Sequence, residues 1–152
     1  MVRLKHRYLI GEVIDDSSVF SAAAAQQSVI TSRDIQSTFV ETICSLYGDV
    51  GSGAFGSSTA VKYFDQNFNV YVIRTSRDHM TEVQFALTCM SSAKKTSNLT
   101  FRTLAIAGSA RTCKDKLLEI LEACIGAKCA GGEGRREELI LLHKEQVGRL
   151  EI

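Results

Sequence analysis

The order of strand-like and helix-like segments is the feature that most constrains the fold of this chain. Four stretches are rich in β-branched and aromatic residues, and they span residues 6–14, 60–64, 70–74 and 101–107. Between the first and second stretches, and again between the third and fourth, apolar residues recur every three or four positions, as in an amphipathic helix. The short gap around Asp65 contains turn-forming residues, so the second and third strands form a hairpin.

This β-α-β-β-α-β order is that of the split-βαβ, ferredoxin-like fold. We therefore predict an α+β sandwich in which two helices cover one face of an antiparallel four-stranded sheet, with one or two further helices at the C-terminus. The predicted domain spans residues 1–126. Residues 127–152 are predicted to be a linker followed by a C-terminal helix, packed on this domain or on a partner.

Local signals set the predicted boundaries of the helices. Thr31 and Asp34 have the spacing of a capping box, and Gly48 is a natural helix end. Residues 48–59 hold four Gly and four Ser or Thr, which predicts a flexible connection. The remaining predictions are a loop over 15–30, a helix cap at Ser76, a loop over 91–99, a capping box at Thr112 and Asp115, a helix end at Gly126, a linker over 127–134 and a last helix over 135–152.

Composition places the chain among ordinary soluble globular proteins. Of 152 residues, 45% are hydrophobic and 23% are charged, and the net charge of +1 argues neither for nor against nucleic acid. The five Cys lack CxxC spacing and are expected to be reduced thiols in a cytosolic or nuclear protein. The apolar run near the N-terminus is interrupted by Glu12 and is too short for a signal peptide or a membrane span, so no membrane association is expected.

No catalytic or metal-binding group can be assembled from the sequence. Residues 51–56 match G-x-G-x-x-G, but a helix precedes them and a strand follows, which is the reverse of the order that a dinucleotide site requires. The three His lie in three different elements, and none has a partner at metal-ligand spacing. We predict no catalytic residue, no metal site and no cofactor bound by the protein.

Basic residues interleaved with Tyr are the most informative polar feature, because phosphate contact needs positive charge and base stacking needs aromatic rings. In a split-βαβ fold their segments lie near one another around the sheet. The alternative is a scatter of solubilising charges. The third strand lacks the aromatic RNP1 signature, so RRM-type reading of single strands is not expected. The candidate residues are Arg3, Lys5, His6, Arg7, Tyr8, Lys62, Tyr63, Arg74, Arg77 and Arg111.

Four blocks give the chain a resemblance to a known family. They are residues 2–10, the Gly48 to Gly51 loop leading to residues 61–64, residues 72–77, and Leu104 with residues 108–113. Taken together, and over roughly residues 1–118, they resemble the small ferredoxin-like protein subunit (processing-of-precursor-RNA subunit five) shared by ribonuclease P and RNase MRP. The departures are an aromatic of the second helix that is shifted to Phe85, and Ala107 before Gly108.

The resemblance implies a noncatalytic subunit that braces the catalytic RNA of an endonuclease removing the 5′ leader of precursor tRNA. Mg²⁺ would act in the RNA active site. The implied partners are ribonuclease P RNA, a TIM-barrel-like protein subunit, other subunits of the particle and, indirectly, precursor tRNA. The implied location is the nucleus and nucleolus. By carry-over, the basic start of the chain supplies the best RNA contacts. The apolar second helix over residues 80–90 is a candidate partner surface, and the alternative is that its Met-rich stripe belongs to the core.

Two other functions remain open at this point. One is a stand-alone enzyme on the ferredoxin-like fold, which turnover of precursor tRNA by the chain alone would reveal. The other is an accessory protein-interaction subunit of the same particle with little RNA contact, which RNA binding measurements would separate from the RNA-bracing subunit.

Overall fold

The computed structural model describes residues 5–15, 30–93, 96–128 and 133–150, and within them the chain forms six strands, four α-helices and one π-helical turn. The strands are β1 (His6–Asp15), β2 (Ala60–Asp65), β3 (Val70–Ser76), β4 (Ser92–Ala93), β5 (Thr96–Ser97) and β6 (Leu99–Ala107). The α-helices are α1 (Ser32–Gly51), α2 (Met80–Cys89), α3 (Ala110–Lys128) and α4 (Glu133–Arg149), and the π-helical turn is Ser52–Gly56.

The main sheet has four strands in the order β2-β3-β1-β6, and every neighbouring pair is antiparallel. With α1 and α2 in the two crossovers, this is the predicted ferredoxin-like topology, and the α+β prediction is confirmed. The long strands β1 and β3 lie in the centre. Bulges interrupt the two edge pairings, between Ile10 and Gly11 opposite β6 and between Val61 and Tyr63 on β2.

The front face of the sheet, which α1 and α2 cover, holds the larger core. Ile35, Phe39 and Ile43 recur along α1 at steps of four, and all three are fully buried. They pack with Val83, Ala86 and Leu87 of α2 and with alternate residues of the strands. The strand residues in this cluster are Leu9, Val13, Tyr71, Ile73, Ala93, Leu99 and Phe101.

The back face of the sheet is also covered, by α3 and α4. The intervening strand residues, including Ile10 and Val72, pack against Leu117 and Leu121 of α3 and against Val147 of α4. Because the strands alternate between two buried faces, the centre of β3 reads as a continuous apolar run. The C-terminal helices therefore occupy the sheet face that an RRM leaves open for RNA.

The Gly-rich segment after α1 is helical for most of its length, so the predicted flexible connection over 48–59 is wrong. Gly48 has a positive φ of 64°, which favours glycine, and its backbone is not helical, so the first helical segment ends there as predicted and a second one follows after a kink. A Cβ on Gly51 would lie 2.2 Å from Cβ of Tyr47. The buried ring of Phe55 then packs edge-on against Tyr47, with centroids 5.1 Å apart. Here glycine serves close packing, and the G-x-G-x-x-G spacing is incidental to it.

Of the other predicted boundaries, one is confirmed and several differ from the structure. The Thr31–Asp34 capping box is confirmed, with reciprocal bonds of 3.3 and 3.0 Å. Ser76 ends β3 and does not cap α2, whose N-cap is His79. The 91–99 loop contains the small β4–β5 hairpin, and α3 continues past Gly126 to Lys128. Residues 16–29 of the predicted 15–30 loop, and residues 129–132 of the predicted linker, lie outside the described residues.

Candidate nucleic-acid interface

Three strand ends meet at one edge of the molecule. β1 begins where β3 and β6 end, because both neighbours run antiparallel to it. The register pairs His6 with Ser76, and Tyr8 with both Arg74 and Ala107. We name this surface the basic end and define it by Lys5, His6, Arg7, Arg74, Arg77 and Arg111.

Backbone contacts hold the basic end together. The Arg77 N–H donates to the Lys5 carbonyl at 2.8 Å, which extends the β1–β3 pairing past the end of β3. The Arg7 guanidinium Nη1 lies 3.4 Å from the Gly108 carbonyl, which joins β1 to the segment between β6 and α3. A Cβ on Gly108 would lie 3.2 Å from that nitrogen, so glycine permits this close approach.

The basic end lacks the ion pairs that basic residues form elsewhere in the described chain. Among the described residues, none of its six members forms an ion pair, whereas Arg102, Lys144 and Arg149 elsewhere each pair with a Glu. Lys5, Arg77 and Arg111 are exposed, and His6, Arg7 and Arg74 are partly buried. In the same part of the chain, the buried atoms His6 Nδ1 and Arg74 Nε have no hydrogen-bond partner. The exposed cationic groups at this edge, those of Lys5, Arg77 and Arg111, are the ones that phosphate oxygens can reach.

The structure does not bring all the predicted residues together. Tyr8 is only 7% exposed and belongs to the back-face core. Tyr63 packs against that core, and its hydroxyl donates to Asp65 Oδ2 at 3.1 Å; burial, with Asp65 beside it, raises the pKa of Tyr63. Lys62 lies in the bulge of edge strand β2 and is not the β2 residue that pairs with Arg74. Arg3 lies outside the described residues.

One part of the basic end was not predicted from the sequence. Ser109 caps α3 and accepts from the Thr112 N–H at 3.2 Å. The N-terminus of α3 therefore lies directly after Gly108, at the basic end. The predicted Thr112–Asp115 capping box is therefore wrong, and the cap lies three residues earlier. The Gly108-Ser109 pair directly after a strand could have indicated this, since Ser is a preferred N-cap. The positive end of the helix dipole adds to the potential at this edge.

Other polar groups in the described chain do not form a site of comparable charge. No cluster of three His, Cys, Asp or Glu side chains there could hold a metal ion. Cys44 and Cys89 are exposed, Cys113 is buried and Cys124 is partly buried, and none of the four forms a disulfide within the described chain. Within the described residues, no helix is long and apolar enough to cross a membrane. His143 is buried against Asp65, far from the basic end in sequence.

The predicted partner surface on α2 is mostly core. Val83, Leu87 and Met90 are buried in the front-face cluster, and Met80 packs against it. The large apolar side chains that α1 and α2 leave exposed are different ones: Phe85 (53% exposed), Leu46 (41%) and Val50 (85%). Phe85 is the aromatic whose shifted position marked a departure in the sequence.

The fold and the basic end define a small ferredoxin-like α+β protein with a basic edge at its strand ends. The family model for the Rpp14/Pop5 family matches residues 7–118, which is more than half of the chain. The chain therefore belongs to the Rpp14/Pop5 family, as the resemblance of the four sequence blocks predicted.

Curated relatives agree with this assignment. The chain is 35% identical over 82 residues to the ribonuclease P/MRP protein subunit POP5 of Schizosaccharomyces pombe, a match covering 52% of this chain and 59% of that protein. It is 26% identical to the Bos taurus subunit POP5 over 97% of this chain and 91% of the relative. A chain in the cryo-EM structure of yeast Ribonuclease MRP has the same fold, with a TM-score of 0.50 and 14% identity, covering 81% of this chain and 95% of that one.

Proposed function

We propose that this chain is a noncatalytic protein subunit of ribonuclease P, of RNase MRP or of both, and that its basic end braces the catalytic RNA. Family membership and the names of the relatives support this role. The single observation that carries the RNA contact is the convergence of six basic residues, unpaired within the described chain, at three strand ends. In this proposal RNA performs the cleavage of precursor tRNA with Mg²⁺, and the particle acts in the nucleus and nucleolus.

The mode of RNA binding follows from the geometry. The back face is occupied by α3 and α4, and Tyr8 is buried there, so bases cannot stack on the sheet as in an RRM. Guanidinium groups and a helix N-terminus at one edge instead favour contacts with phosphates of a folded RNA. We therefore propose that Arg3, Lys5, His6, Arg7, Arg74, Arg77 and Arg111 bind the RNA backbone.

The proposed protein partner is the TIM-barrel-like subunit, and the exposed apolar residues of α1 and α2 are its proposed contact. Exposed aromatic and aliphatic side chains on two helices that contact each other are typical of a protein interface. If so, Phe85→Asp should lower binding of the purified partner about tenfold or more in a pull-down, while Thr88→Asp on the same helix should not.

RNA binding tests the basic end directly. Arg77→Gln combined with Arg111→Gln removes two exposed charges, and we expect affinity for the ribonuclease P RNA to fall about tenfold with no change in thermal midpoint. Lys144→Gln with Arg149→Gln is the matched control, because it removes two exposed charges from α4. Equal losses for the two pairs would show that net charge, and not the basic end, governs binding.

Cleavage assays test the noncatalytic role. The purified chain alone should leave precursor tRNA intact, and cleavage should require the RNA together with Mg²⁺. Turnover by the chain alone would favour the stand-alone enzyme. Assembly into the particle with no measurable contribution of the basic end to RNA affinity would favour the accessory interaction subunit.

A further inference from the structure

A buried polar contact joins α4 to the sheet. The imidazole of His143 is 3% exposed, and its Nε2 lies 3.0 Å from Oδ2 of Asp65 at the end of β2. The ring of Phe68 packs edge-on against the imidazole, with centroids 5.5 Å apart. These groups are 78 residues apart in sequence, so the contact fixes the C-terminal helix to the β2–β3 hairpin.

The geometry around the ring requires an extra proton. Nδ1 of His143 lies 2.8 Å from the Leu139 carbonyl, which can only accept a hydrogen bond. Asp65 already accepts from the Tyr63 hydroxyl on Oδ2 and from the N–H groups of Asn67 and Phe68 on Oδ1, as a carboxylate does. With acceptors on both sides, the His143–Asp65 pair holds one proton more than a neutral imidazole beside a carboxylate.

The other contacts of α4 that the described side chains show are apolar or lie at the surface. Val147 is buried in the back-face cluster and Leu150, just after the helix, packs against that cluster, whereas Leu141 and Leu142 are 64% and 49% exposed. The Lys144–Glu122 ion pair with α3 is about half exposed, and such pairs contribute little. Lys114 of α3 donates to the Gly148 carbonyl at 3.0 Å, also at the surface.

We propose that docking of α4 on the back face depends on the proton held between His143 and Asp65, which makes α4 a pH-sensitive cover of that face. Loss of the proton leaves a single ring N–H for two buried acceptors, and an unsatisfied buried acceptor favours release of the helix. The groups that face the ring from β2 are Asp65 and Tyr63, and α3 presents Glu122 to the neighbouring Lys144. Release would uncover Tyr63, Phe68 and the apolar back-face residues.

The test is a titration of the full-length chain by NMR from about pH 6 to about pH 9. The ring ¹⁵N shifts of His143 report its protonation, and the methyl shifts of Val147 and Leu150 report docking of α4. We expect the ratio of docked to released helix to fall about tenfold or more over the pH interval in which the ring loses its proton. The titration continues upward until the ring ¹⁵N shifts report loss of the proton, and docked methyl signals that persist unchanged beyond that point would overturn the proposal.

Two variants assign the effect to this pair. In Asp65→Asn the side-chain amide can donate to a neutral imidazole while its oxygen still accepts from the backbone, so α4 should stay docked across the same range. His143→Gln removes the titrating ring, so its α4 signals, docked or released, should not change with pH. If α4 is released in either variant over the same pH range as in the wild-type chain, another group is responsible for the pH dependence. His79, which packs against Phe55 on the front face, is the internal control for the titration.

Discussion

At the scale of single residues, glycine has two different uses in this protein. Gly48 adopts a positive φ at the kink of α1, whereas Gly11 is required because other atoms lie close to it. A Cβ on Gly11 would lie 2.4 Å from the Arg102 carbonyl oxygen and from the ring of Tyr71. The sequence shows that both positions are glycine, but only the packing shows why Gly11 must be.

The first prediction concerns Gly11. Gly11→Ala should lower the free energy of unfolding by about 1–3 kcal/mol, because neither the backbone carbonyl of Arg102 nor the fully buried Tyr71 can move freely. Urea denaturation measures the change. Gly148→Ala is the control, since a Cβ added there would meet no atom within 4 Å and Ala favours the helix. Equal stability of the Gly11 variant and the parent protein would contradict the packing argument.

The thiol of Cys113 provides a second prediction at this scale. Burial raises the pKa of Cys113 from 9.0 to about 11, so near pH 8 its thiolate fraction is lower by about a hundredfold. A raised pKa adds stability that is complete below about pH 9 and is lost as the pH rises toward 11. Iodoacetamide should therefore label the exposed Cys44 and Cys89 well before Cys113, as measured by peptide mass mapping. Early labelling of Cys113 would mean that the back face opens readily.

At the scale of elements, a side chain of α1 completes the outer edge of the sheet. The Gln36 amide donates to the Thr59 carbonyl at 3.2 Å and accepts from the Val61 N–H at 2.8 Å. It therefore bonds to β2 as a neighbouring strand would. Together with the bulge at Val61–Tyr63, it leaves this edge poorly suited to pairing with another chain.

The third prediction tests that edge. Gln36→Glu loses the donor and places a carboxylate against the Thr59 carbonyl, so the free energy of unfolding should fall by about 1–3 kcal/mol. The exposed Gln66 also bonds to a backbone carbonyl, and Gln66→Glu should change stability by less than about 0.5 kcal/mol. Thermal denaturation of both variants makes the comparison. Equal effects would show that the amide of Gln36 has no special role at the edge.

Elements with a strong local signal were predictable from the sequence, and those set by packing were not. The Thr31–Asp34 cap and the core positions of α1 follow from spacing alone. The helical turn after Gly48 forms because Phe55 is buried against Tyr47 and His79, contacts that no local pattern contains. The same holds for the candidate site. Strand order placed Arg7, Arg74 and Arg111 at one end, but the burial of Tyr8 depends on helices that pack on the back face.

At the scale of the whole molecule, the two covered sheet faces separate the proposed functions in space. The front-face helices expose apolar side chains, which are the proposed contact with a protein partner. The back face is closed by α3 and α4, and the strand ends gather six basic residues that form no ion pair within the described chain. A net charge of +1 therefore does not exclude a locally basic surface, because basic residues that are separated in the sequence meet at the strand ends.

The fourth prediction follows from that separation. If about four phosphates are neutralised at the basic end, the logarithm of RNA affinity should fall with the logarithm of salt concentration at a slope of about −3 to −4. Arg3→Ala with Arg7→Ala should flatten the slope by about two and weaken unrelated RNAs nearly equally, because phosphate contacts carry no sequence information. Filter binding over a salt series measures this, with the thermal midpoint recorded alongside. A large fall in the midpoint with an unchanged slope would show that these arginines stabilise the fold and do not contact RNA.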